Sequence, residues 1–203
     1  MGEWPVLGNH EHRRREARRL RYYFWWGDTV GYKRENNAWV ATDGSSSNFS
    51  FGSSNTPTYN KTPATLASEG WVVSQDGTYV LAPEHDAAHV QWGGGWRMPT
   101  YQELNDLYHN KCDWTWTTQN GVKGYVVRGR GDYASHSIFL PCAGYGYGTS
   151  LYDAGSLGYY WSSVPGSDYD RAYGLGFDSG SHYMLCNYRY DGQSVRPVQG
   201  FTN

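Results

Sequence analysis

The stretch from Ala143 to Gly192 constrains the fold more than any other part of the chain. It holds ten of the 19 tyrosines and otherwise consists mostly of Gly, Ser and Asp. Three segments within it, Gly158–Ser163, Ala172–Phe177 and His182–Leu185, have the aromatic and apolar character of short strands and are separated by turn residues. The pattern predicts a sheet of short strands. Rigid amphipathic rings among small polar residues are also typical of surfaces that contact ligands.

The composition of this stretch departs from that of the remaining chain. Its 50 residues contain no Lys, Glu or Gln, whereas the other 153 residues contain 17. A proportional share would be about five or six. Alternation places Leu175 and Phe177 on one side of a strand and Gly174, Gly176 and Asp178 on the other. Because glycine and aspartate are poor strand formers, the second side is not composed for sheet stability.

The length and charge of the chain limit the classes of protein it can be. Its 203 residues are enough for one domain with a substantial core. Aromatic residues make up 17% of the chain, which argues against disorder. A net charge of -2 gives no general attraction to nucleic acid or to an anionic membrane. We therefore expect one domain over residues 22–203, without a nucleic-acid partner or membrane insertion.

The first 21 residues form a separate basic segment. Six arginines lie between Arg13 and Arg21, with Glu11 and Glu16 near them. This pattern fits a solvated helix face, and it also fits docking onto nucleic acid or an acidic partner. The segment lacks the apolar stretch of a secretory signal peptide. Its role is not assigned by the pattern.

Several local signals predict individual elements. Thr100 followed by Glu103 is a capping box, so a helix is predicted over Tyr101–Tyr108. Asp76-Gly77 between two apolar runs predicts a hairpin turn. The polar segment from Asn36 to Pro63 is predicted to be a long surface loop. Ser194–Val198 is predicted to close the sheet.

Cysteine and histidine spacing predicts neither a metal site nor a cofactor. Cys112, Cys142 and Cys186 lack the CxxC spacing of a zinc site or a redox pair. His10 and His12 form an HxH pair that lacks a third ligand. We expect no bound metal and no cofactor.

A series of motifs in a fixed order resembles a known family. WRMPTYQELNDLY, WTWTTQNGVKGY, SIFLPCAGY, GYYWSS, LGFDSG and SVRPV are similar to motifs of the C-type lectin-fold variable proteins that retroelements diversify in bacteria and their phages. They also resemble the related paralogous domains of gut Bacteroidetes and of the Fibrobacter type. The resemblance covers residues 22–198, patchily before Asp86. It implies an α+β, C-type lectin-like fold of short antiparallel strands, one or two helices and long loops.

The resemblance also implies a mechanism for the missing residue types, with a variable region at about 143–192. In such systems adenines of a template copy are randomised, so asparagine codons become codons ending in C or T. These codons cannot encode Lys, Glu, Gln, Met or Trp. Trp161, Leu175, Phe177 and Met184 are then expected to belong to the fixed frame. The positions predicted to vary and to face a ligand are Tyr147, Tyr152, Leu157, Tyr159, Asp168, Tyr169, Asp170, Arg171, Tyr173, Gly174, Gly176, Asp178, Ser181, Tyr183, Leu185, Asn187, Tyr188, Tyr190 and Asp191.

The function implied is binding rather than catalysis. The expected ligand is a protein or glycan on a target cell surface, and the expected location is a phage virion, associated with the tail, or a bacterial cell surface. The protein is expected to be a monomer or a homotrimer. An alternative is an oxidase of the formylglycine-generating type, which shares the implied fold and uses paired cysteines with copper, although Cys142 and Cys186 do not match its motif. Calcium-dependent sugar binding is rejected because the EPN, QPD and WND motifs are absent.

Overall fold

The computed structural model describes residues 22–109 and 111–199. The predicted basic segment at 1–21, with its HxH pair, lies outside the described residues. The described part contains three short α-helices, α1 (Pro63–Ser68), α2 (Ala87–Trp92) and α3 (Tyr101–Tyr108). Its strands are β1 (Tyr32–Glu35), β2 (Ala38–Ala41), β3 (Ser47–Phe49), β4 (Val72–Gln75), β5 (Thr78–Leu81), β6 (Trp96–Arg97), β7 (Cys112–Gln119), β8 (Val122–Gly129), β9 (Ser137–Pro141), β10 (Tyr145–Tyr147), β11 (Ser150–Tyr152), β12 (Gly158–Pro165), β13 (Arg171–Phe177), β14 (His182–Tyr188) and β15 (Val198–Gln199).

The predicted α+β, C-type lectin-like fold class is wrong. Strands and isolated bridges account for 45% of the described residues, and α-helices and 3₁₀ turns for 16%. The strands form six small sheets of two or three strands each. The longest α-helix has eight residues. One physical reason is that turn residues interrupt the chain often: Asn36, Asn37 and Asp76 are among seven non-glycine residues with positive φ, a conformation that asparagine and aspartate tolerate better than other side chains. The result is a β-rich fold of short hairpins.

Local signals in the sequence predicted two elements correctly. The capping box of α3 is present, because the Thr100 Oγ1 accepts from the Glu103 amide at 3.2 Å and the Glu103 carboxylate accepts from the Thr100 amide at 2.8 Å. Arg97 holds the same carboxylate with two bonds of 2.7 Å. The hairpin at Asp76-Gly77 joins β4 to β5 in antiparallel register. Both signals depend on contacts between near neighbours in sequence.

The predicted surface loop from Asn36 to Pro63 is wrong. This segment contains β2 and β3, and it buries the side chains of Trp39, Phe51 and Thr58 almost completely. Trp39 and Phe51 pack edge to face, with ring centroids 5.0 Å apart. A few large rings therefore form a buried core within this segment, although its average composition is polar and predicts a surface loop.

Ser194–Val198 does not close the sheet as a strand. Gln193 and Ser194 make single bridges to Phe24 and Tyr160, and only Val198 reaches a two-residue strand, which pairs with β6. This segment still lies inside the protein, since Val195 and Ser194 are buried.

The three-stranded sheet of β12, β13 and β14 lies between two apolar clusters. One side carries Tyr160, Leu175 and Phe177, which pack with Leu104 and Leu107 of α3 in a cluster that also includes β8 and β9. The second cluster contains Trp26, Leu66, Met98 and Trp161, together with Ala172 of β13. A third cluster, around Trp39 and Phe51, lies below the β10–β11 hairpin. Among the described residues, no helix is long and apolar enough to cross a membrane.

Candidate ligand-binding surface

Seven tyrosines of the 143–192 stretch lie at the protein surface in two neighbouring groups of rings, which β10 joins because it carries Tyr145 of one group and Tyr147 of the other. Together with Tyr59, which comes from a distant part of the chain, they are called the tyrosine surface here. Its members are Tyr59, Tyr145, Tyr147, Tyr152, Tyr159, Tyr183, Tyr188 and Tyr190. All eight rings are exposed or partly buried.

One half of the tyrosine surface is centred on Tyr145. Its ring stacks on Tyr152 with centroids 5.5 Å apart and meets Tyr159 edge to face at 5.5 Å. Tyr159 is hydrogen-bonded in turn to Tyr183, and burial followed by this bond raises the pKa of Tyr159. These contacts link the β10–β11 hairpin to the sheet of β12, β13 and β14.

The other half is centred on Tyr190. Its ring stacks on Tyr188 with centroids 4.9 Å apart and also contacts Tyr147 at 6.1 Å and Tyr59 at 5.5 Å. The guanidinium of Arg171 lies over the outer member, Tyr188, 4.9 Å from the ring centroid. Rings that support one another lose little conformational freedom when a ligand binds.

Two glycines allow β10 to present its tyrosines outward. Gly146 and Gly192 pair across the chain through hydrogen bonds of 2.7 and 2.8 Å. A Cβ at either glycine would lie within 2.7 Å of the Phe51 ring, so the glycine side of this pair rests on the third cluster. Because side chains alternate along a strand, Tyr145 and Tyr147 project from the opposite side.

Most of the nineteen predicted positions are exposed or partly buried. Among the exposed side chains, Tyr169 has 56%, Tyr147 50%, Tyr152 42% and Tyr188 37% of its area accessible. The frame residues Trp161, Leu175 and Phe177 are at most 1% exposed, and Met184 lies opposite Leu175 and packs in the same cluster as Leu175 and Phe177. The partly buried predicted positions are Leu157, Tyr159, Asp168, Asp170, Arg171, Tyr173, Asp178, Tyr183, Leu185, Asn187, Tyr190 and Asp191, and Ser181 is exposed.

Gly174 and Gly176 correct the expectation that all nineteen positions lie at the surface. Both are buried, because side chains from β14 cover them. A Cβ at Gly176 would lie 2.5 Å from Leu185 and 2.6 Å from Tyr183. Glycine at these positions leaves room for the side chains of β14 on this face of the sheet. The two glycines therefore affect the surface through the neighbouring side chains that cover them.

Three further predicted positions have local roles or lie elsewhere. The Asp168 carboxylate accepts the Arg171 amide at 3.0 Å, and that of Asp178 accepts the Gly180 and Ser181 amides at 2.7 and 2.9 Å. Both aspartates therefore stabilise their own turns. Tyr173 lies away from the tyrosine surface and packs on Tyr101 of α3, with centroids 4.9 Å apart.

Arg189 holds the backbone of the exposed turn between β12 and β13. Its side chain is fully buried and donates to the carbonyl oxygens of five residues, at 2.7 to 3.3 Å. Burial lowers the pKa of Arg189 to about 10, and the guanidinium lies over Trp26 at 5.3 Å. The five acceptors are the carbonyls of Thr58, Lys61, Asp168, Tyr169 and Arg171.

Tyr145, Tyr59 and Arg189 were not predicted from the sequence. Tyr145 is two residues from Tyr147, so strand alternation was a usable signal for placing both on one side. Tyr59 follows a polar segment and reaches the surface only through the fold, so the sequence offered no signal. Arg189 looks like an ordinary surface arginine between two tyrosines, and its burial depends on carbonyls up to 131 residues away in sequence.

The three thiols are free. Burial raises the pKa of Cys142 to about 11 and also raises the pKa values of Cys112 and Cys186. A raised pKa disfavours the thiolate, which is the nucleophilic and metal-binding form. The described residues contain no group of three or more His, Cys, Asp or Glu side chains placed to hold a metal ion.

Substitution at Gly174 and Gly176 tests how the sheet supports the surface. A Cβ at Gly174 would lie 2.6 Å from the Tyr160 carbonyl oxygen, which belongs to the backbone, whereas the close neighbours at Gly176 are ends of side chains. We expect Gly174→Ala to lower the free energy of unfolding by about 2 kcal/mol and Gly176→Ala by less than about 1 kcal/mol. Urea denaturation of both variants measures the difference. Equal losses would contradict this account of the sheet.

The chain was compared with known families, curated proteins and solved structures. Residues 111–198 match a family model described as a domain of unknown function, DUF8237. The match covers less than half of the chain and includes β7 to β14, so it contains the whole tyrosine surface except Tyr59. No curated protein and no solved structure matches the chain. The description of the family model assigns no ligand or activity.

Proposed function

We propose that this chain is a ligand-binding protein whose 143–192 stretch is diversified by a retroelement and displayed on a fixed β-rich frame. The ligand is a protein or glycan on a target cell surface. The chain acts in adhesion, either on a phage virion in association with the tail or on a bacterial cell surface. The proposal assigns it no catalytic reaction.

The placement of the tyrosines is the observation that carries this proposal. Of the ten tyrosines in the 143–192 stretch, Tyr160 alone is buried, and it donates its hydroxyl hydrogen to the Pro141 carbonyl at 2.8 Å. The other nine keep at least part of their rings accessible. Residues needed for a core would be buried, and these are not. A dense set of accessible rings favours a recognition surface, since tyrosine gives a large contact area at low entropic cost.

The way the exposed turn is held also supports diversification. The bonds from Arg189 reach carbonyl oxygens of Asp168, Tyr169 and Arg171. A backbone carbonyl is present whatever side chain a position carries, so these bonds survive substitution of the residues that supply them. The frame therefore tolerates side-chain change on the exposed side of the turn.

Sequencing of sibling loci and of the flanking DNA tests the proposal. We expect Tyr147, Tyr183 and Tyr188 to vary among siblings while Trp161 and Arg189 stay constant. A reverse transcriptase gene and a near-identical adenine-rich repeat are expected nearby. Equal variability at Tyr183 and Trp161, or loci without such a repeat, would refute diversification.

A further inference from the structure

Asp191 lies beside the centre of the tyrosine surface. Gly146 and Gly192 form a hydrogen-bonded antiparallel pair, so Tyr147 and Asp191 are the next residues opposite each other. Gly146 and Gly192 face Phe51, and alternation along β10 directs Tyr147 to the opposite side. Asp191 ends the turn that carries Tyr188 and Tyr190, because its amide donates to the Tyr188 carbonyl at 3.0 Å. Asp191 thus lies where the turn with Tyr188 and Tyr190 meets Tyr147 of β10, whose ring contacts Tyr190.

The Asp191 carboxylate has no partner among the described residues. Its backbone amide donates to the Tyr188 carbonyl at 3.0 Å, but its side chain makes no hydrogen bond or ion pair within residues 22–109 and 111–199. Asp168 and Asp178 differ, because backbone amides hold both of them. Partial burial without compensating donors raises the pKa of Asp191 to about 7. An unpaired carboxylate in such a place is stabilised by a cation.

The rings around Asp191 suit a cation as well. The charge of Asp191 contributes, after burial, to the raised pKa of Tyr190, and it also acts on Tyr145, so the carboxylate is electrostatically coupled to both halves of the tyrosine surface. Tyrosine faces attract ammonium and guanidinium groups. Arg171 over Tyr188 shows this contact within the chain itself.

The charge of the 143–192 stretch also favours a cationic ligand. The stretch contains five aspartates and two arginines, and one of those arginines, Arg189, is fully buried. Arg171 is therefore the accessible arginine of this stretch, and it lies 3.9 Å from Asp168 and Asp170. Asp153 and Asp191 both act on Tyr145 of the tyrosine surface, so the surface carries more carboxylates than accessible arginines. Such a surface attracts a partner of opposite charge.

We propose that the tyrosine surface binds a lysine or arginine side chain of a protein ligand, with the cationic group at Asp191 and its apolar stem against Tyr145, Tyr147 and Tyr190. This inference rests on the proposed function and names the partner of that surface. A basic protein side chain fits better than an amino sugar, because its long methylene stem covers ring surface while its charged end reaches the carboxylate.

Titration of the full chain, with ¹³C-labelled tyrosine rings, against small model ligands tests the proposal. The probes are the N-acetyl, N′-methylamide derivatives of lysine and arginine, each paired with an uncharged analogue, Nε-acetyl-lysine or citrulline. We expect the charged probes to shift the ring resonances of Tyr145, Tyr147 and Tyr190 saturably. The uncharged analogues are expected to bind at least about tenfold more weakly, because they cannot neutralise the carboxylate.

Three variants separate the carboxylate from the rings. Asp191→Asn should weaken the binding of both charged probes about tenfold, whereas Asp76→Asn, which removes one charge from the exposed turn between β4 and β5, should leave it unchanged. Tyr190→Phe should retain binding, because it keeps the ring, and Tyr190→Leu should lose about threefold or more. The fold of each variant is checked by the unchanged shifts of Tyr125 and Tyr160.

Several results would overturn the inference. Charged and uncharged probes could shift the ring resonances equally, or Asp191→Asn could bind the charged probes as tightly as the wild type. The probes could also give no saturable shift up to their solubility limit, or glucosamine could bind more tightly than either amino-acid probe. Any of these leaves the proposed function standing if sibling chains vary at the tyrosine positions. Constant tyrosines in siblings together with Asp191-dependent binding would instead refute diversification and keep the cation site.

Discussion

Arg189→Met is expected to lower the free energy of unfolding by about 4 kcal/mol. The substitution removes all five hydrogen bonds from the guanidinium. The carbonyl oxygens of Tyr169 and Arg171 keep backbone donors, but those of Thr58, Lys61 and Asp168 lose theirs, and each unsatisfied buried group costs about 1–3 kcal/mol. Methionine nearly matches the volume of the arginine stem, so lost packing against Trp26 contributes little. Urea denaturation monitored by tryptophan fluorescence measures the change.

A matched pair of variants makes this result specific. Arg128→Met removes an exposed arginine that makes a single 3.1 Å bond to Ala134, and we expect it to cost less than about 0.5 kcal/mol. Arg189→Lys should fall between the two, because one ammonium cannot reach five carbonyls that surround a planar guanidinium. If Arg189→Met and Arg128→Met are equally stable, Arg189 does not hold the turn.

The three consecutive residues from Tyr188 to Tyr190 have two different roles. Tyr188 and Tyr190 place their rings on the tyrosine surface. Arg189 between them points into the protein and fixes the backbone of the β12–β13 turn and of the segment with Thr58 and Lys61. A codon for arginine is compatible with the diversification mechanism. The structure nevertheless gives Arg189 a role that no other side chain can fill, so selection for folding should keep it constant.

The sequence predicted those parts of the fold that near neighbours determine. The capping box at Thr100 and the turn at Asp76-Gly77 are local, and the alternation of Leu175 and Phe177 follows from strand geometry alone. The surface position of the tyrosines could likewise be inferred from composition, because rings among glycine and serine have too few apolar neighbours to form a core.

The remaining features depend on contacts between distant residues. Trp39 and Phe51 form a core within a polar segment, and Tyr59 reaches the tyrosine surface from outside the 143–192 stretch. Asp191 was predicted to face a ligand, but its lack of a partner becomes visible only when its neighbours are placed. The overall fold class was missed for the same reason, since resemblance in short motifs does not determine how small sheets are arranged.

Asp86 connects two elements that support the sheet of β12, β13 and β14. Its buried carboxylate caps α2 by accepting the amides of Ala88 at 2.8 Å and His89 at 3.0 Å. The same group accepts the Met98 amide through both oxygens, at 3.0 and 2.9 Å. Burial raises the pKa of Asp86, while these amide bonds act in the opposite direction. One carboxylate thus fixes the chain on both sides of β6.

Asp86→Ala is expected to lower the free energy of unfolding by about 4 kcal/mol, because three buried amides lose their acceptor and α2 loses its cap. Asp132→Ala, at an exposed aspartate, should cost less than about 0.5 kcal/mol. Asp86→Asn keeps one acceptor oxygen, but its side-chain NH₂ group then faces a backbone N–H. The loss in free energy of unfolding should therefore be intermediate. Denaturation in urea ranks the three variants, and hydrogen exchange at Met98 should quicken most in Asp86→Ala. An Asp86→Ala protein as stable as Asp132→Ala would show that α2 and Met98 are held by apolar packing alone, and the carboxylate would then have no structural role at this site.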